Sequence, residues 1–551
     1  MTEWMHPAWP FLIGAVLAGL APGAARRIVV LVAPAVGVTL AWLLPQGAQL
    51  QATVMGHDLL WLRADALARP FTIIFALLGG LGLLYGWSGS RRLHTAGLTA
   101  TGAALGIALA GDWVTFYLAW ETLAVASFVL IKDGASPRAS AAAYRYLLMH
   151  ILGGACLLAG VSVHLGGGGG GLVAGPVAGS AWALILVAFA INAATPPLHA
   201  WLTDAYPESS PAGAVLLSAF ATKAAVYALA RVFPGVEALV WVGAMMTLYG
   251  VVFAVLENDI RRLLGYHIVS QVGYMVTGVG LGTSLAISGT VAHAFSHILY
   301  KGLLFMATGA VVQATGRRRL TDLGGLAAAM PATLALYMIG ALSISGAPLL
   351  NGFISKSLVV AAAEASHRDV VAALLTLASV GTFLSVGLKL PFFTFGGASS
   401  GATPSPVPKA ALLAMGLTAA LCFLSGVAPQ MLYRLLPFAV AYRPYTTDHV
   451  LGAVQLLVGT ALGFTLLLRL LKGKPTVTLD ADRAYRALGR LVAGLGQRVA
   501  RAADALEEWA IAGVTRPLHL PRVRALASMS YDALLAVLLL GAGIVVLGLF
   551  R

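Results

Sequence analysis

The stretch Ser345-Gly346-Ala347-Pro348-Leu349-Leu350-Asn351-Gly352-Phe353-Ile354-Ser355-Lys356 lies between two apolar runs and decides the fold. A lysine near the middle of a bilayer costs at least ~2.5–3.5 kcal/mol on insertion scales. Here it follows a proline and a glycine that break a helix at membrane depth. Broken backbone at that depth is tolerated only where it is buried in protein or lines a wet cavity. A charge beside a broken helix points to an ion path.

The rest of the chain fits that reading. Of its 551 residues, 59% are hydrophobic and only 10% charged, and the mean hydropathy is +0.87. Soluble domains carry about 25% charged residues. The composition predicts an all-α polytopic membrane protein of about sixteen transmembrane helices, from the recurrence of apolar runs near twenty residues. They begin at Pro10, Ile28, Pro70, Thr95, Trp113, Ala142, Ala181, Pro211, Ala238, Leu263, Ser288, Pro331, Val370, Ala410, Leu451 and Tyr531. The N-terminus lacks a basic n-region, so the first run reads as a retained span. Cys156 and Cys422 lie in apolar spans, form no metal spacing and read as small core residues.

The net charge of +14 is no nucleic-acid signal. The basic residues occupy alternate loops: Arg26-Arg27, Arg91-Arg92, Lys132 with Arg138, Arg261-Arg262, Arg317 to Arg319, then Lys472 with Lys474. The positive-inside rule places those loops in the cytoplasm, and the expected host is the inner (plasma) membrane of a bacterium. An even number of spans then puts both termini on the outer side.

Three connectors stand out. Residues 46–69 alternate polar and apolar and suit a small external hairpin, and the glycine run 166–171 reads as an external loop. Residues 471–530 differ. From Asp480 to Gly513, Leu479, Tyr485, Leu488, Leu491, Leu495, Val499, Ala502, Leu506 and Trp509 recur at helical spacing, with Arg483, Arg486, Arg490, Arg498 and Arg501 elsewhere. The pattern predicts an amphipathic lateral helix along the cytoplasmic surface. The expected division is 1–69 for the first helices and hairpin, 70–430 for a translocating core, 431–470 for an extra span, 471–530 for the lateral helix and 531–551 for a last span.

A second proline-broken segment, Asn192-Ala193-Ala194-Thr195-Pro196-Pro197-Leu198-His199, echoes the one at Pro348. Paired broken helices point to an inverted-repeat transporter and to its site. The ionisable residues inside spans are functional candidates by default. Glu121 lies mid-span with no base near it in sequence, so any partner must come from another helix. Lys223 is also mid-span, and a buried lysine is a group that can exchange its proton. His293, His297 and Lys301 are spaced by four, which puts them on one stripe of a helix, and imidazoles relay protons near neutral pH. Their HxxxH spacing also occurs in zinc helices, but the glutamate of HExxH is missing and no third ligand stands out, so no metal is expected. Arg145, near the start of its span, is placed to snorkel to the interface and is a further candidate for the path, as are Asn192 and His199. His150, His199 and His267 suit local hydrogen bonds at span ends.

Four runs resemble the antiporter-like subunit family: Pro196-Pro197-Leu198-His199-Ala200-Trp201-Leu202-Thr203-Asp204-Ala205-Tyr206-Pro207, Thr222-Lys223-Ala224-Ala225-Val226-Tyr227, Glu257-Asn258-Asp259-Ile260-Arg261-Arg262-Leu263-Leu264-Gly265-Tyr266, and His293 to Lys301 followed by Gly302-Leu303-Leu304-Phe305. That family includes the large membrane subunits of respiratory complex I, the D subunit of Mrp-type cation/proton antiporters and the proton-channel subunits of membrane-bound hydrogenases. The resemblance covers about residues 70–430 and looks most like the Mrp-type D subunit. It implies fourteen core helices, two inverted five-helix repeats and a proton path along the membrane midplane. Glu121, Lys223, the set His293, His297 and Lys301, and Lys356 match the family's charged positions. One departure is clear. Asn192 stands where the family usually has a lysine in a broken helix, and asparagine cannot carry a proton. The lateral helix resembles a short form of the arm that braces neighbouring subunits.

The expected activity is proton translocation within a multi-subunit complex, with protons as the ion, Na+ as a second candidate ion and other membrane subunits as partners. No catalytic conversion by this chain alone is expected. No nucleotide, flavin, haem or iron–sulfur motif occurs, so no cofactor is expected here and any redox chemistry lies in partners. Three drives stay open: exchange of sodium for protons, a redox module, or a partner that hydrates carbon dioxide. A degenerate channel kept as a scaffold is the alternative from another class. A stand-alone solute carrier fits less well, because it would not need the lateral arm.

Overall fold

The computed structural model describes residues 4–471, apart from 55 and 173–176, together with Asp480 and a few positions up to Arg498. It divides into two units, Met1–Thr478 and Leu479–Arg551.

The first unit is almost wholly helical. In chain order it holds α1 (Trp9–Leu20), α2 (Gly23–Leu43), the strands β1 (Gln49–Val54) and β2 (His57–Arg63), then α3 (Ala68–Tyr85), α4 (Arg91–Leu109), α5 (Trp113–Lys132), α6 (Ala139–Gly166), α7 (Gly179–Asn192), α8 (Ala200–Ala205), α9 (Pro211–Ala219), α10 (Ala221–Val232), α11 (Glu237–Leu256), α12 (Ile260–Leu281), α13 (Ser284–Thr315), α14 (Pro331–Ser345), α15 (Asn351–Ala365), α16 (Asp369–Thr382), a π-helical segment (Phe383–Lys389), α17 (Leu390–Phe395), α18 (Lys409–Val427), α19 (Pro429–Tyr433) and α20 (Thr447–Leu471). The two strands form the antiparallel hairpin expected within 46–69, with a register shift between Leu50 and Gln51.

Among the described residues, ten helical stretches are long and apolar enough to cross a membrane. These match ten of the spans expected from the sequence. Three others, α1, α7 and α14, are shorter. For α7 and α14 the reason is physical, since each is only the first half of a helix broken at a proline. The helices α4 and α12 are 19 and 22 residues long but carry too many polar side chains to read as plainly apolar. The span from Tyr531 lies outside the described residues, as does most of the amphipathic segment. Of the latter, Arg483, Ala487, Arg490, Leu491, Gly494 and Arg498 are described and helical.

Local chemistry sets the helix ends. Ser90, Asp112, Ser210, Asp259 and Thr283 each accept a hydrogen bond from a backbone N–H of the first turn, the usual N-cap arrangement. The core runs along α13. This 32-residue helix is longer than the ~30 Å hydrocarbon layer requires, and nearly all of its membrane-length window is buried. It packs on α9, α12, α14, α15 and α18. At the rim, α2 and α20 leave most of their apolar surface exposed, as a lipid-facing helix does. Among the described residues, the basic loops meet on one face. Ser90 is hydrogen-bonded to Asp133, and Arg318 reaches Glu208 and Asp259.

Candidate functional site

Two helices are interrupted at the positions the prolines mark. α14 ends with Gly346 in the left-handed region at φ 78, where glycine carries no Cβ penalty. α15 restarts at Asn351. The halves cross closely: Asn351 is hydrogen-bonded to Ser343, and a Cβ at Gly352 would overlap the Ser343 carbonyl, so only glycine fits there. The first break lies between α7 and α8, spanning 193–199. Each break holds a non-glycine residue at positive φ, Ala194 at 56 and Leu349 at 71. Such backbone costs of order 1–3 kcal/mol and persists where the surroundings over-determine it.

The second break aims Lys356 into the protein. Its side chain is buried, with Nζ 3.4 Å from Ser379 Oγ and 5.2 Å from the ring centre of Tyr274. The Tyr274 hydroxyl donates to Leu375 O at 2.5 Å and lies 2.8 Å from Ser379 Oγ. Among the described residues no carboxylate pairs with Lys356.

The expected stripe on α13 is present. His293, His297 and Lys301 are fully buried, and the two imidazole centres are 6.3 Å apart. His293 Nδ1 lies 3.2 Å from Ser355 Oγ, one residue before Lys356. Tyr300 packs on the His297 ring at 5.3 Å and Tyr274 on the His293 ring at 5.4 Å. Among the described residues, neither nitrogen of His297 nor the ammonium of Lys301 has a hydrogen-bond partner. Buried polar groups of this kind are served by water or take part in function.

Lys223 joins the row from α10. The chain bends at Phe220 between α9 and α10, and the Lys223 ammonium donates to the Ser218 carbonyl at 2.7 Å and to Thr222 Oγ1 at 3.0 Å. It is within electrostatic reach of His293, His297 and Lys301.

Glu121 stands apart from this row. Its carboxylate lies directly over Gly154 of α6, in space a Cβ there would need. Among the described residues its buried Oε1 has no hydrogen-bond partner and no ion pair to it occurs. Asn192, the last residue of α7, is buried and its Oδ1 is likewise unpartnered among the described residues. Arg145 Nε pairs with Asp204 at 2.5 Å, because α8 brings a carboxylate within reach, and its side chain stays 40% exposed. The His199 ring packs against Tyr249 at 4.9 Å. His150 is bonded to Tyr146 O at 2.9 Å, the local role its position suggests. Among the described residues no three His, Cys, Asp or Glu side chains come together as metal ligands would.

Charged pairs frame the ends of the helices. At the start of α3, burial would raise the Asp65 carboxyl, but the Arg231 fork, at 2.5 and 2.8 Å, holds it below its ordinary value. On the basic face, burial works against Glu208 too, yet Arg318 at 2.8 Å keeps its carboxyl low. Asp259 shares that guanidinium at 2.7 Å but is more deeply enclosed, and burial pushes it up.

One buried cation is not evident from the sequence. Lys389, at the end of the π-helical segment, donates to Val255 O at 2.5 Å and Glu257 O at 2.9 Å. In sequence it has the look of an ordinary span-end lysine. The signal that marks it is the polar series Ser379, Thr382, Ser385 and Lys389 along one span.

Comparisons with known proteins agree with this architecture. The chain is 31% identical over 403 residues to NADH-quinone oxidoreductase subunit N of Desulforudis audaxviator, covering 67% of this chain and 78% of that one. It is 31% identical over 312 residues to the D subunit of a Na(+)/H(+) antiporter of Alkalihalophilus pseudofirmus, covering 53% and 63%. It spans about half the length, 48%, of other curated relatives that it matches at 35% identity. In fold it is similar to a chain of the Mrp complex from Dietzia, with a TM-score of 0.69 over 84% of this chain and 98% of that one, at 23% identity. The model of the family described as "NADH:quinone oxidoreductase/Mrp antiporter, TM" matches residues 110–385, the part that holds Glu121, both breaks, the α13 stripe and Lys356. This multi-pass membrane protein therefore belongs to the NADH:quinone oxidoreductase/Mrp antiporter transmembrane family.

Proposed function

We propose that the chain is a proton-translocating membrane subunit of a larger complex in the inner (plasma) membrane. The observation that carries this reading is the row Lys223, Lys301, His297, His293 and Lys356. All five are buried, and no carboxylate neutralises them among the described residues. A purely structural membrane protein gains nothing from such groups and loses insertion energy for each. Along the row, charge on one group repels a proton from the next, so a proton passes on rather than accumulating.

In this reading, protons are taken up through one half channel and charge Lys223, then His297 or Lys301. They leave past Lys356. Glu121 acts on the first half by electrostatic attraction for a nearby cation, with Asn192 holding water where a lysine would otherwise stand. The two breaks mark two inverted five-helix repeats. Residues 70–430 form the translocating core, 1–69 and 431–470 flank it, and the segments 471–530 and 531–551 brace neighbouring subunits. The basic-loop face is cytoplasmic and both termini are outside. The names of the relatives favour two drives, sodium/proton exchange or a redox module. A scaffold role is the second reading, and Asn192 is the feature that favours it.

The test is proton flux in proteoliposomes that carry the purified complex. Lys356→Met or Glu121→Gln is expected to abolish coupled flux with the complex still assembled. Wild-type flux in either variant would sink that assignment, and an assembled wild-type complex without flux would favour the scaffold.

A further inference from the structure

The file of polar residues that ends at Lys389 has no part in the path described above. Ser379, Thr382, Ser385 and Lys389 follow each other at three, three and four residues, and each meets a polar atom of α11, α12 or α15. Ser379 Oγ takes the hydrogen bond from Lys356. Thr382 Oγ1 lies 3.5 Å from Gln271 Nε2, and Gln271 Oε1 accepts from Tyr300 OH at 3.3 Å. Ser385 Oγ lies 2.7 Å from His267 Nε2. Lys389 then reaches the backbone at Val255 and Glu257, where Glu257 also pairs with Arg262 at 3.3 Å. The file therefore runs from Lys356 to the face that carries the basic loops.

Hydroxyls in a helix often satisfy themselves on the carbonyl one turn back, and Thr382 and Ser385 do so, on Ala378 O at 2.8 Å and Gly381 O at 2.6 Å. That leaves their oxygens as acceptors toward α12. Ser385 Oγ thus accepts a hydrogen bond from His267 Nε2–H, which makes Nδ1 the bare nitrogen of that ring. Among the described residues, His267 Nδ1 is buried without a partner, and so is Ser270 Oγ on the same helix. Lys389 caps the last turn of α11, but capping alone does not call for burial to 2% exposure. The π-helical segment supplies the remaining piece. An extra residue per turn re-aims the side chains that follow it, and such segments recur at functional sites.

We propose that the α12–α16 interface is a second proton path, which links Lys356 past Ser379, Thr382 and Ser385 to Lys389 and the basic-loop face. This rests on the proton-translocating reading above. Successive rungs are about one helical turn, ~5.4 Å, apart, a gap that one bridging water spans. Each hydroxyl turns from its own-helix carbonyl to release its proton to the next acceptor as its oxygen takes another, then turns back, so one proton moves and no group is left altered. Lys356 becomes a branch point, open to the basic-loop face through this file and to the α13 row through Ser355 and His293.

The experiment uses the purified complex in proteoliposomes. The double variant Thr382→Val with Ser385→Ala keeps shape and removes both hydroxyls. Its flux is expected to lose the share carried by this file and to keep the share that enters at Lys223. Wild-type flux in the double variant, with Lys356→Met inactive, overturns the second path and leaves the main reading standing. Wild-type flux in Lys356→Met overturns the main reading itself. A measurement independent of flux guards against misfolding. Ser385→Cys is made in a chain with Cys156→Ser and Cys422→Ser, exposed to silver ion from one face, then denatured and alkylated with N-ethylmaleimide. Silver added at the basic-loop face is expected to protect the introduced thiol from alkylation, while silver at the opposite face leaves it labelled. Labelling after silver from the basic-loop face overturns the proposal.

Discussion

The ammonium of Lys356 lies over the ring of Tyr274, 5.2 Å from its centre, and this contact takes the place of a counter-ion. A cation over an aromatic face is held by about 2 kcal/mol or more when desolvated. That is enough to orient a lysine without trapping it, as a buried carboxylate would. The same tyrosine ties α12 to α16 through Leu375 and Ser379.

Tyr274→Phe keeps the ring and loses the hydroxyl. Tyr274→Leu loses both. The phenylalanine variant is expected to retain most of the flux of the wild-type complex, whereas the leucine variant loses it along with roughly 3 kcal/mol of stability from the truncated core side chain. Equal flux in the two variants would show that the ring does not orient Lys356. Flux and thermal unfolding on the same preparations decide the point.

Gly154 offers a way to move Glu121 without removing it. A Cβ at 154 falls on the Glu121 carboxylate, the far end of a flexible side chain, so Gly154→Ala is expected to assemble normally while displacing that carboxylate. Its flux should then resemble that of Glu121→Gln. Wild-type flux in Gly154→Ala would mean that the position of the Glu121 carboxylate is unimportant.

Asn192→Lys places a titratable group where the family usually has one. Asn192 is buried with a free acceptor at the end of α7. The expected outcome is higher flux, because the first half then holds a lysine close to its break. Lower flux than wild type would indicate that the asparagine is part of the working path.

The Asp65–Arg231 pair gives a stability prediction with a defined pH window. The Asp65 carboxyl is held below its ordinary value of 3.8 by Arg231, against the effect of burial. A depressed acid stabilises the fold above its unfolded value, and that contribution disappears as pH falls through the folded value. Asp65→Asn is therefore expected to cost about 1.5–3 kcal/mol, as for hydrogen bonds to charged groups, by the same amount from about pH 8 to about pH 5. Below about pH 3.8 the gap to wild type should close. Melting curves across that range check it, and a gap that widens in acid would contradict it.

Much of this architecture is legible in the sequence because broken helices and buried charges are rare in membranes and therefore informative. Pro196, Pro348, Lys223, the α13 stripe and Lys356 are visible from spacing and composition alone. The limits have physical causes. Arg145 finds Asp204 only because α8 folds back against α6, a tertiary fact that no local pattern holds. Lys389 hides at a span end, where a lysine ordinarily reaches water, yet here it closes the π-helical segment and reaches α11. The cation–π contact of Lys356 with Tyr274 joins residues far apart in the chain. Apolar length alone makes α7 and α14 look like complete spans, since it cannot tell a whole helix from half of one.

The most direct test of the central claim is proton flux through the purified complex in proteoliposomes, wild type against Lys356→Met, with assembly checked by co-purification. Assembled Lys356→Met complex without flux is the expected result. Undiminished flux through that variant would contradict the assignment of Lys356 to the proton path.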